Sequence, residues 1–259
     1  MVDPVLGAAA AFGLCLALSA LAYYRGVLTA DGATAAFAVG FVIGVLGDLT
    51  WLMLLLFFLL SSFAATKYRF ALKEAMGVQE GKRGERGSRN VLANGAAPMA
   101  VAVLTFLFPA ALPKEAMGVV FVAALVVAGA DTLASEIGVL SKKAYDITTG
   151  KRVPAGTNGG VSALGQGAAL AAALYTSLFG WLVLFWGSRY LGLQATMPAD
   201  GNLLAVPVAV GFLGCQVDSV LGATLEVRGW LTKKTVNFAS TVLGTLVAFG
   251  LLKLWGALP

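Results

Sequence analysis

The chain has 259 residues, of which 59% are hydrophobic and 12% are charged, and its formal net charge is +5. It is far more apolar than a soluble domain, so its composition indicates a single integral-membrane domain over residues 1–259. Histidine is absent, which excludes Ser-His and Cys-His nucleophile pairs and most zinc sites. Any chemistry must therefore use Asp, Glu, Lys, Arg and a bound metal ion.

Eight apolar segments are long enough to cross a bilayer as helices. They lie near residues 4–24, 31–48, 50–66, 90–110, 116–135, 162–186, 203–226 and 235–256. The sequence therefore predicts an all-α fold, a polytopic transmembrane helix bundle of about eight spans. In a seven-span alternative, residues 31–48 form a short re-entrant or interfacial pair. Several spans have polar ends, and the span that follows each of them begins near an Asn residue. This pattern also indicates a degenerate helix-pair repeat.

Glycine is frequent, with 32 residues in the chain. Small residues on helices, such as Gly214, let neighbouring helices approach closely. The same small residues can leave a groove between helices for an acyl or prenyl tail. The sequence keeps both interpretations open.

The basic residues are distributed unevenly between the two ends of the predicted bundle. In an eight-span bundle, the loops at 25–30, 67–89, 136–161 and 227–234 share one face and carry all but three of the 18 basic residues. The positive-inside rule then places these loops in the cytoplasm and both termini outside. We therefore expect an integral protein of the cell membrane.

Two acidic clusters follow long apolar runs, one from Asp131 to Glu136 and the other from Asp218 to Glu226. An ionised carboxylate near hydrocarbon costs roughly 3 kcal/mol on insertion scales, so these acids indicate a polar site. Hard cations prefer carboxylate oxygens, and we expect Mg²⁺ to bind Asp131, Asp218 and Glu226. Ser135 lies one turn after Asp131 on the same helix face. Alternatively, Asp131 only hydrogen-bonds a neighbouring helix and Glu136 is a solvated helix end.

The polar segment 142–162 is rich in cations, hydroxyl groups and glycine, a composition typical of phosphate binding. Gly159 and Gly160 let backbone N–H groups approach an anion, and a helix N-terminus follows them. Thr157 and Asn158 can donate hydrogen bonds to phosphate oxygens. The chain has no Gly-x-x-x-x-Gly-Lys-Ser/Thr motif, so an ordinary P-loop is excluded.

Further phosphate contacts are expected from cations and amides near helix starts. These are Arg86, Arg89, Asn90, Asn94, Lys151, Arg152 and Asn237. Alternatively, the cations only fix the topology or contact anionic lipid, and residues 67–89 form a disordered basic loop.

Four ordered blocks of the sequence carry a resemblance to a known family. They are residues 89–95 (Arg-Asn-Val-Leu-Ala-Asn-Gly), 130–136 (Ala-Asp-Thr-Leu-Ala-Ser-Glu), 156–162 (Gly-Thr-Asn-Gly-Gly-Val-Ser) and 217–224 (Val-Asp-Ser-Val-Leu-Gly-Ala-Thr). Together they resemble the integral-membrane phytyl-phosphate kinases of plastids and their archaeal, bacterial and animal relatives. The Asp-x-x-Ala-Ser element is more distantly similar to dolichol kinases and CDP-diacylglycerol synthases.

The resemblance implies transfer of a nucleotide γ-phosphoryl group, with CTP as the expected donor, to a prenyl monophosphate. The expected partners are therefore a prenyl phosphate, a nucleotide and membrane lipids, and not nucleic acid. Catalytic roles fall to Asp131, Glu136, Asp218 and Arg152, with Asp131 or Glu136 as base if the acceptor is a free prenol. Two alternatives stay open: a transporter or carrier of an anionic or lipid-phosphate substrate, and a cytidylyltransferase acting on a lipid phosphate.

Overall fold

The computed structural model describes residues 4–258, and within them eight helices are long and apolar enough to cross a membrane. These spans are Val5–Tyr24, Ala30–Gly47, Leu49–Lys67, Ser88–Leu107, Lys114–Gly138, Ala163–Tyr190, Gly201–Glu226 and Lys233–Leu254. The predicted all-α bundle of eight spans is confirmed. The segment predicted near 31–48 is a full span and not a re-entrant pair, while the helix-pair repeat stays a prediction.

The elements are given in chain order. The helices are α1 (Pro4–Tyr24), α2 (Ala30–Val42), α3 (Leu49–Lys67), α4 (Phe70–Ala75), α5 (Ser88–Leu107), α6 (Lys114–Gly138), α7 (Ala163–Trp181), α8 (Ser188–Tyr190), α9 (Ala205–Leu221) and α10 (Lys233–Leu254). Turns of π-helix at Ile43–Gly47, Leu182–Gly187 and Gly222–Glu226 extend α2, α7 and α9, and a 3₁₀ turn, Gly201–Leu204, precedes α9.

Side-chain caps divide the apolar sequence into separate helices. Asp48 separates α2 from α3, because its carboxylate accepts the Thr50 backbone N–H at 2.9 Å and so begins α3. The same carboxylate pairs with Lys114 Nζ at 3.4 Å, which joins the start of α3 to the start of α6. A capping box between Thr232 and Thr235 begins α10.

Helix α6 is the centre of the bundle, since 94% of its most apolar stretch is buried. Glycines on α9 and α10 allow these helices to approach it. A Cβ atom at Gly214 would lie 2.7 Å from Val127 Cγ1, and one at Gly244 would lie 2.6 Å from Val127 Cγ2. On the other side of α6, Trp51 stacks on Phe121 with the ring centroids 4.2 Å apart. Close helix packing is therefore one use of the glycines.

The segment after α6 is more ordered than its glycine content indicates. It contains three short antiparallel strands, β1 (Ala144–Asp146), β2 (Arg152–Val153) and β3 (Gly160–Val161), in the order β2-β1-β3. Tyr145 lies opposite both Arg152 and Val161. A small sheet thus supplements the predicted all-helical fold.

The loops that were predicted to share one face do meet at one end of the bundle. We call this the basic end, formed by residues 25–29, 68–87, 139–162 and 227–232. Backbone hydrogen bonds join the first two, because Arg86 N–H donates to Val27 O and Thr29 N–H donates to Arg86 O, each at 3.1 Å. Residues 67–89 are therefore not a disordered loop.

Glu80 ties this loop to the start of α10. Its carboxylate accepts a hydrogen bond from Lys234 Nζ at 2.7 Å and lies 3.7 Å from Lys233 Nζ. Burial alone would raise the pKa of Glu80, but the hydrogen bond from Lys234 and the charges of Lys233 and Arg86 outweigh it and lower the pKa below its ordinary value. Glu80 is therefore ionised at neutral pH and holds the two lysines in place.

The glycine contacts predict which substitutions the helix packing tolerates. Gly244→Ala should destabilise the protein by about 1–3 kcal/mol, because the new methyl group would press on Val127. Gly250→Ala on the same helix is the matched control, since no heavy atom would lie within 4 Å of its Cβ. Thermal unfolding in detergent measures both variants. Equal melting temperatures for the two variants would contradict the packing interpretation.

The Glu80 ion pairs predict a pH-dependent difference in stability. Since the folded-state pKa is lowered, the contribution of Glu80 is complete above its unfolded-state pKa of about 4.3 and is lost as the pH falls through the folded-state pKa. Glu80→Gln should therefore melt below the wild type at neutral pH, and the gap should close in acid. Glu74→Gln, at an exposed position, is the control. A gap that widens on acidification would refute the ion-pair assignment.

Candidate functional site

Two aspartates from different helices lie side by side near the basic end. Asp131 stands about two turns before the end of α6, and Asp218 stands about one turn before the end of α9. Their carboxyl groups are direct neighbours. Helix α10 supports both, because Asn237 Nδ2 donates to Asp131 Oδ2 at 3.1 Å and Ser240 Oγ donates to Asp218 Oδ2 at 3.0 Å. The structure thus brings together three of the predicted site residues and adds Ser240.

These carboxyl groups face a polar cavity of about 290 Å³. It lies between α6, α7, α9 and the start of α10, and the segments around Glu80 and Thr157 complete its wall. The polar and charged side chains that line it are Gln79, Glu80, Asp131, Ser135, Glu136, Thr157, Asn158, Ser162, Gln166, Asp218, Ser219, Glu226 and Lys233. This volume is close to the lower limit of the range of roughly 300–1,000 Å³ that is typical of small-molecule sites.

The aspartate pair has the donor chemistry of a magnesium site that is completed by substrate. Mg²⁺ in proteins is usually bound through one or two carboxylates, with water and substrate phosphates as further ligands. Across residues 4–258, no group of three or more Asp, Glu or Cys side chains is arranged to hold a metal by itself. The predicted third ligand, Glu226, lines the cavity but interacts with Asn158. The structure therefore gathers two carboxylates, Asp131 and Asp218, and not three.

Glycine conformation places the predicted phosphate loop on the cavity wall. Gly156 and Gly159 have φ values of 81° and 73°, a region that other residues rarely adopt. Any Cβ at Gly159 would overlap Ala223 at the end of α9, so only glycine allows this contact. Thr157 and Asn158 line the cavity. The N–H of Gly160 donates to Thr157 O at 2.9 Å and therefore stabilises the loop itself.

The structure does not bring three of the predicted cations to the cavity. Lys151 and Arg152 are exposed on the small sheet, where edge strand β2 carries them away from the aspartates. Arg152 Nη2 donates to Lys142 O at 3.3 Å. Arg89 is exposed on the first turn of α5. The predicted phosphate contacts of these three residues, and the catalytic role of Arg152, find no support in this geometry.

Glu136 belongs to a buried ion pair and is not a solvated helix end. Its carboxylate accepts Lys73 Nζ at 2.6 Å and Thr66 Oγ1 at 2.9 Å, and the Lys73 side chain is fully buried. Lys73 Nζ also donates to the carbonyl oxygens of Ala65 and Thr66 at 2.9 Å. All three ammonium protons are thus used. Glu136 anchors α4 against α6, and this arrangement does not leave it free to act as a base.

Arg86 is buried between the ion pair and the aspartates. Its Nη2 donates to Thr66 Oγ1 at 3.2 Å and to Ser62 O at 3.4 Å. Burial lowers the pKa of the guanidinium, while the nearby carboxylates of Glu136, Glu80 and Asp131 oppose this shift. An arginine stays charged under these conditions, so Arg86 brings a fixed positive charge close to the aspartate pair.

The predicted amides of Asn90 and Asn94 and the predicted hydroxyl group of Ser135 line different cavities. Asn90 and Asn94 are buried at the start of α5 and line a second, largely apolar groove. Asn90 also donates to Glu80 Oε1 at 3.3 Å, which connects it to the polar cavity. Ser135 lines the polar cavity, although its hydroxyl group donates to Thr132 O at 3.1 Å.

The polar residues of this region that sequence interpretation missed include Lys73, Glu80, Lys233 and Ser240. Ser240 follows Asn237 by three residues and so lies on the same helix face, a signal that the sequence does contain. Lys233 opens the span that carries Asn237. Nothing in the sequence distinguishes Lys73 or Glu80 from other charged residues of the same loop.

Comparison with known proteins shows similarity over most of the chain. Residues 13–245 match the family described as integral membrane protein DUF92. The chain is 33% identical over 254 residues to an uncharacterized membrane protein of Synechocystis sp., a match that covers 96% of this chain and 91% of the relative. It is 32% identical over 234 residues to protein VTE6, chloroplastic, of Arabidopsis thaliana, which covers 85% of this chain and 64% of that protein.

An uncharacterized membrane protein of Methanocaldococcus jannaschii is 29% identical over 219 residues, covering 84% of this chain and 82% of the relative. No solved structure matches the chain. The family match includes every residue that lines the polar cavity. It also agrees with the resemblance carried by the four sequence blocks. The chain therefore belongs to the integral membrane protein family DUF92.

Proposed function

We propose that the protein is a membrane kinase that transfers the γ-phosphoryl group of a nucleoside triphosphate, with CTP as the expected donor, to a prenyl monophosphate. The observation that carries this proposal is the Asp131–Asp218 pair, which α10 supports inside a polar cavity at the basic end. The resemblance of the four sequence blocks to phytyl-phosphate kinases supports the choice of substrate.

Asp131 and Asp218 are the residues that would hold Mg²⁺. A bound Mg²⁺ ion would supply positive charge that neutralises the negative charge of the phosphates during transfer. Asn237 and Ser240 fix the orientation of the two carboxylates through the hydrogen bonds to their Oδ2 atoms. Such supporting contacts typically change metal affinity or activity about 10- to 100-fold.

Positive charge in the wall would balance the phosphate groups. Lys233 lines the cavity, and its charge acts on both Asp131 and Asp218. Glu80 positions Lys233 and Lys234 through its two ion pairs. Cations that are already in place stabilise a transferring phosphoryl group without reorganisation at the moment of reaction.

A prenyl monophosphate needs little activation as an acceptor. Its second pKa is near 6, so at neutral pH it is mostly a dianion that already carries a nucleophilic oxygen. Phosphoryl transfer to it depends on positioning and charge neutralisation more than on a general base. This agrees with a chain that has no histidine and with a Glu136 carboxylate that is engaged by Lys73.

Two other functions could use the same carboxylates, cations and polar cavity. A carrier of anionic or lipid-phosphate substrates would need polar groups through the depth of the bundle, whereas the buried middle of α6, from Val119 to Val127, is apolar. A cytidylyltransferase would attach CMP to the lipid phosphate and release pyrophosphate. The fate of the nucleotide's phosphorus atoms separates all three functions.

Purified protein should move label from γ-labelled CTP, and not from α-labelled CTP, into a prenyl diphosphate. Asp131→Asn and Asp218→Asn should each lower turnover by about 10²- to 10³-fold, because each variant removes one carboxylate from the cation site. Asp200→Asn is the matched control, since that exposed aspartate begins the 3₁₀ turn before α9. Incorporation of the α-label would identify a cytidylyltransferase, and full activity in either site variant would remove that aspartate from the mechanism.

We also propose that the basic end faces the cytoplasm, where nucleotides are available, because nearly all basic residues lie there. In a background with Cys15 and Cys215 replaced by Ala, Lys82→Cys should be protected from a membrane-impermeant thiol reagent in intact cells. Gln194→Cys, at the opposite end, should react. Both positions are exposed. Labelling of both positions from the outside would contradict this orientation.

A further inference from the structure

A second cavity lies among the first spans, apart from the polar cavity. It is a narrow groove of about 80 Å³ between α1, α2, α3 and the start of α5. Its walls are mostly apolar, with Leu18, Val39, Leu55 and Phe58 among the residues that line them.

The groove runs from the basic end into the bundle. Ala22, Leu28 and Arg86 line it near the basic end. Cys15 lies seven residues before Ala22 on α1, which corresponds to about 10 Å along the helix. At this depth the helices meet at Gly40, where a Cβ atom would lie 3.2 Å from Cys15 Sγ. The groove therefore has a closed apolar end and a polar end.

The polar end contains buried groups that lack partners. Arg86 Nε and Asn94 Oδ1 are both buried, and neither has a hydrogen-bond partner among the described residues. Arg86 and Asn94 are each only 4% exposed, and both line the groove. An unsatisfied buried donor or acceptor is costly, so a ligand that pairs with such a group would be favoured. A phosphate offers oxygens that can accept a hydrogen bond from Arg86 Nε.

This polar end shares a wall with the polar cavity. Asn90 lines the groove and donates to Glu80, which lines the cavity. The Arg86 charge acts on Asp131 and on Glu136. A phosphate group at Arg86 would thus lie beside the site that is proposed to hold the nucleotide.

We propose that the groove binds the hydrocarbon chain of a single-chain prenyl monophosphate, with the phosphate at Arg86, Asn90 and Asn94. The assignment rests on the proposed function for the identity of the substrate and on the unpaired groups for the position of the phosphate. Lipid tails are as apolar as the groove, so transfer of the chain from the bilayer supplies little affinity. The groove instead selects the length and shape of the chain, and the charged end supplies the attraction.

Photolabelling tests the assignment without turnover. Farnesyl monophosphate with a diazirine at the far end of its chain is added to the full-length protein in nanodiscs without nucleotide. The label should attach to α1, α2 and α3 at the deep end of the groove, at residues 15–18, 39–40 and 52–56. Ala36→Phe, which fills the groove, should reduce labelling about tenfold or more. Ala38→Phe is the matched control, since Ala38 is exposed on the same helix outside the groove.

Three competitors and the enzyme assay make each outcome decisive. Unlabelled farnesyl phosphate should compete, whereas farnesol and two-chain phosphatidic acid should compete poorly. Labels on α6, α7 or α9, equal labelling of Ala36→Phe and Ala38→Phe, or equal competition by phosphatidic acid would each overturn the groove assignment. If the groove is labelled but no nucleotide yields a prenyl diphosphate, the proposed kinase function fails while the lipid-phosphate groove stands. If turnover occurs and the label lies outside the groove, the groove assignment fails while the proposed kinase function stands.

Discussion

Two adjacent carboxyl groups, one near the end of α6 and one near the end of α9, are costly to maintain inside the bundle, and the surrounding polar side chains stabilise them. Like charges repel, and the apolar surroundings of α6 screen that repulsion poorly. Asn237 and Ser240 donate to the pair, and the Lys233 charge acts on it. These contacts reduce the cost without removing it. A divalent cation would offset the remaining charge, which links the stability of the apo site to its proposed chemistry.

The pair depends in turn on how closely three helices approach one another. Asp131 is on α6, Asp218 is on α9, and their supporting side chains are on α10. The glycines at 214 and 244 let α9 and α10 reach the same valine, Val127, about one turn before Asp131. Residues without side chains thus set the separation of residues whose side chains carry the function. The packing of the apolar part of the bundle therefore sets the geometry of its polar part.

Much of this arrangement follows from the sequence. The lengths of the apolar segments predict the eight spans, because this signal is local in the sequence. The acidic residues that follow two of these segments predict the aspartate pair, because a charge near lipid is costly. The side chain with which a charged residue pairs, in contrast, can come from a distant part of the sequence. Glu136 pairs with Lys73, 63 residues away, and Arg152 is carried outward by strand pairing that glycine content does not indicate. Glu226 differs from Asp218 because it stands on the π-helical extension beyond α9, a change of helical phase that spacing alone cannot reveal.

Gly159 has a mechanical consequence for the site. It contacts Ala223 in the π-helical extension of α9, five residues beyond Asp218, with no flexible side chain between the two backbones. A displacement of the glycine loop is therefore transmitted to the helix that carries an acidic residue of the site. An anion that displaced the loop would in this way also shift the Asp218 carboxylate, through the backbone contact between Gly159 and Ala223. The loop therefore forms part of the cavity wall and can also shift α9.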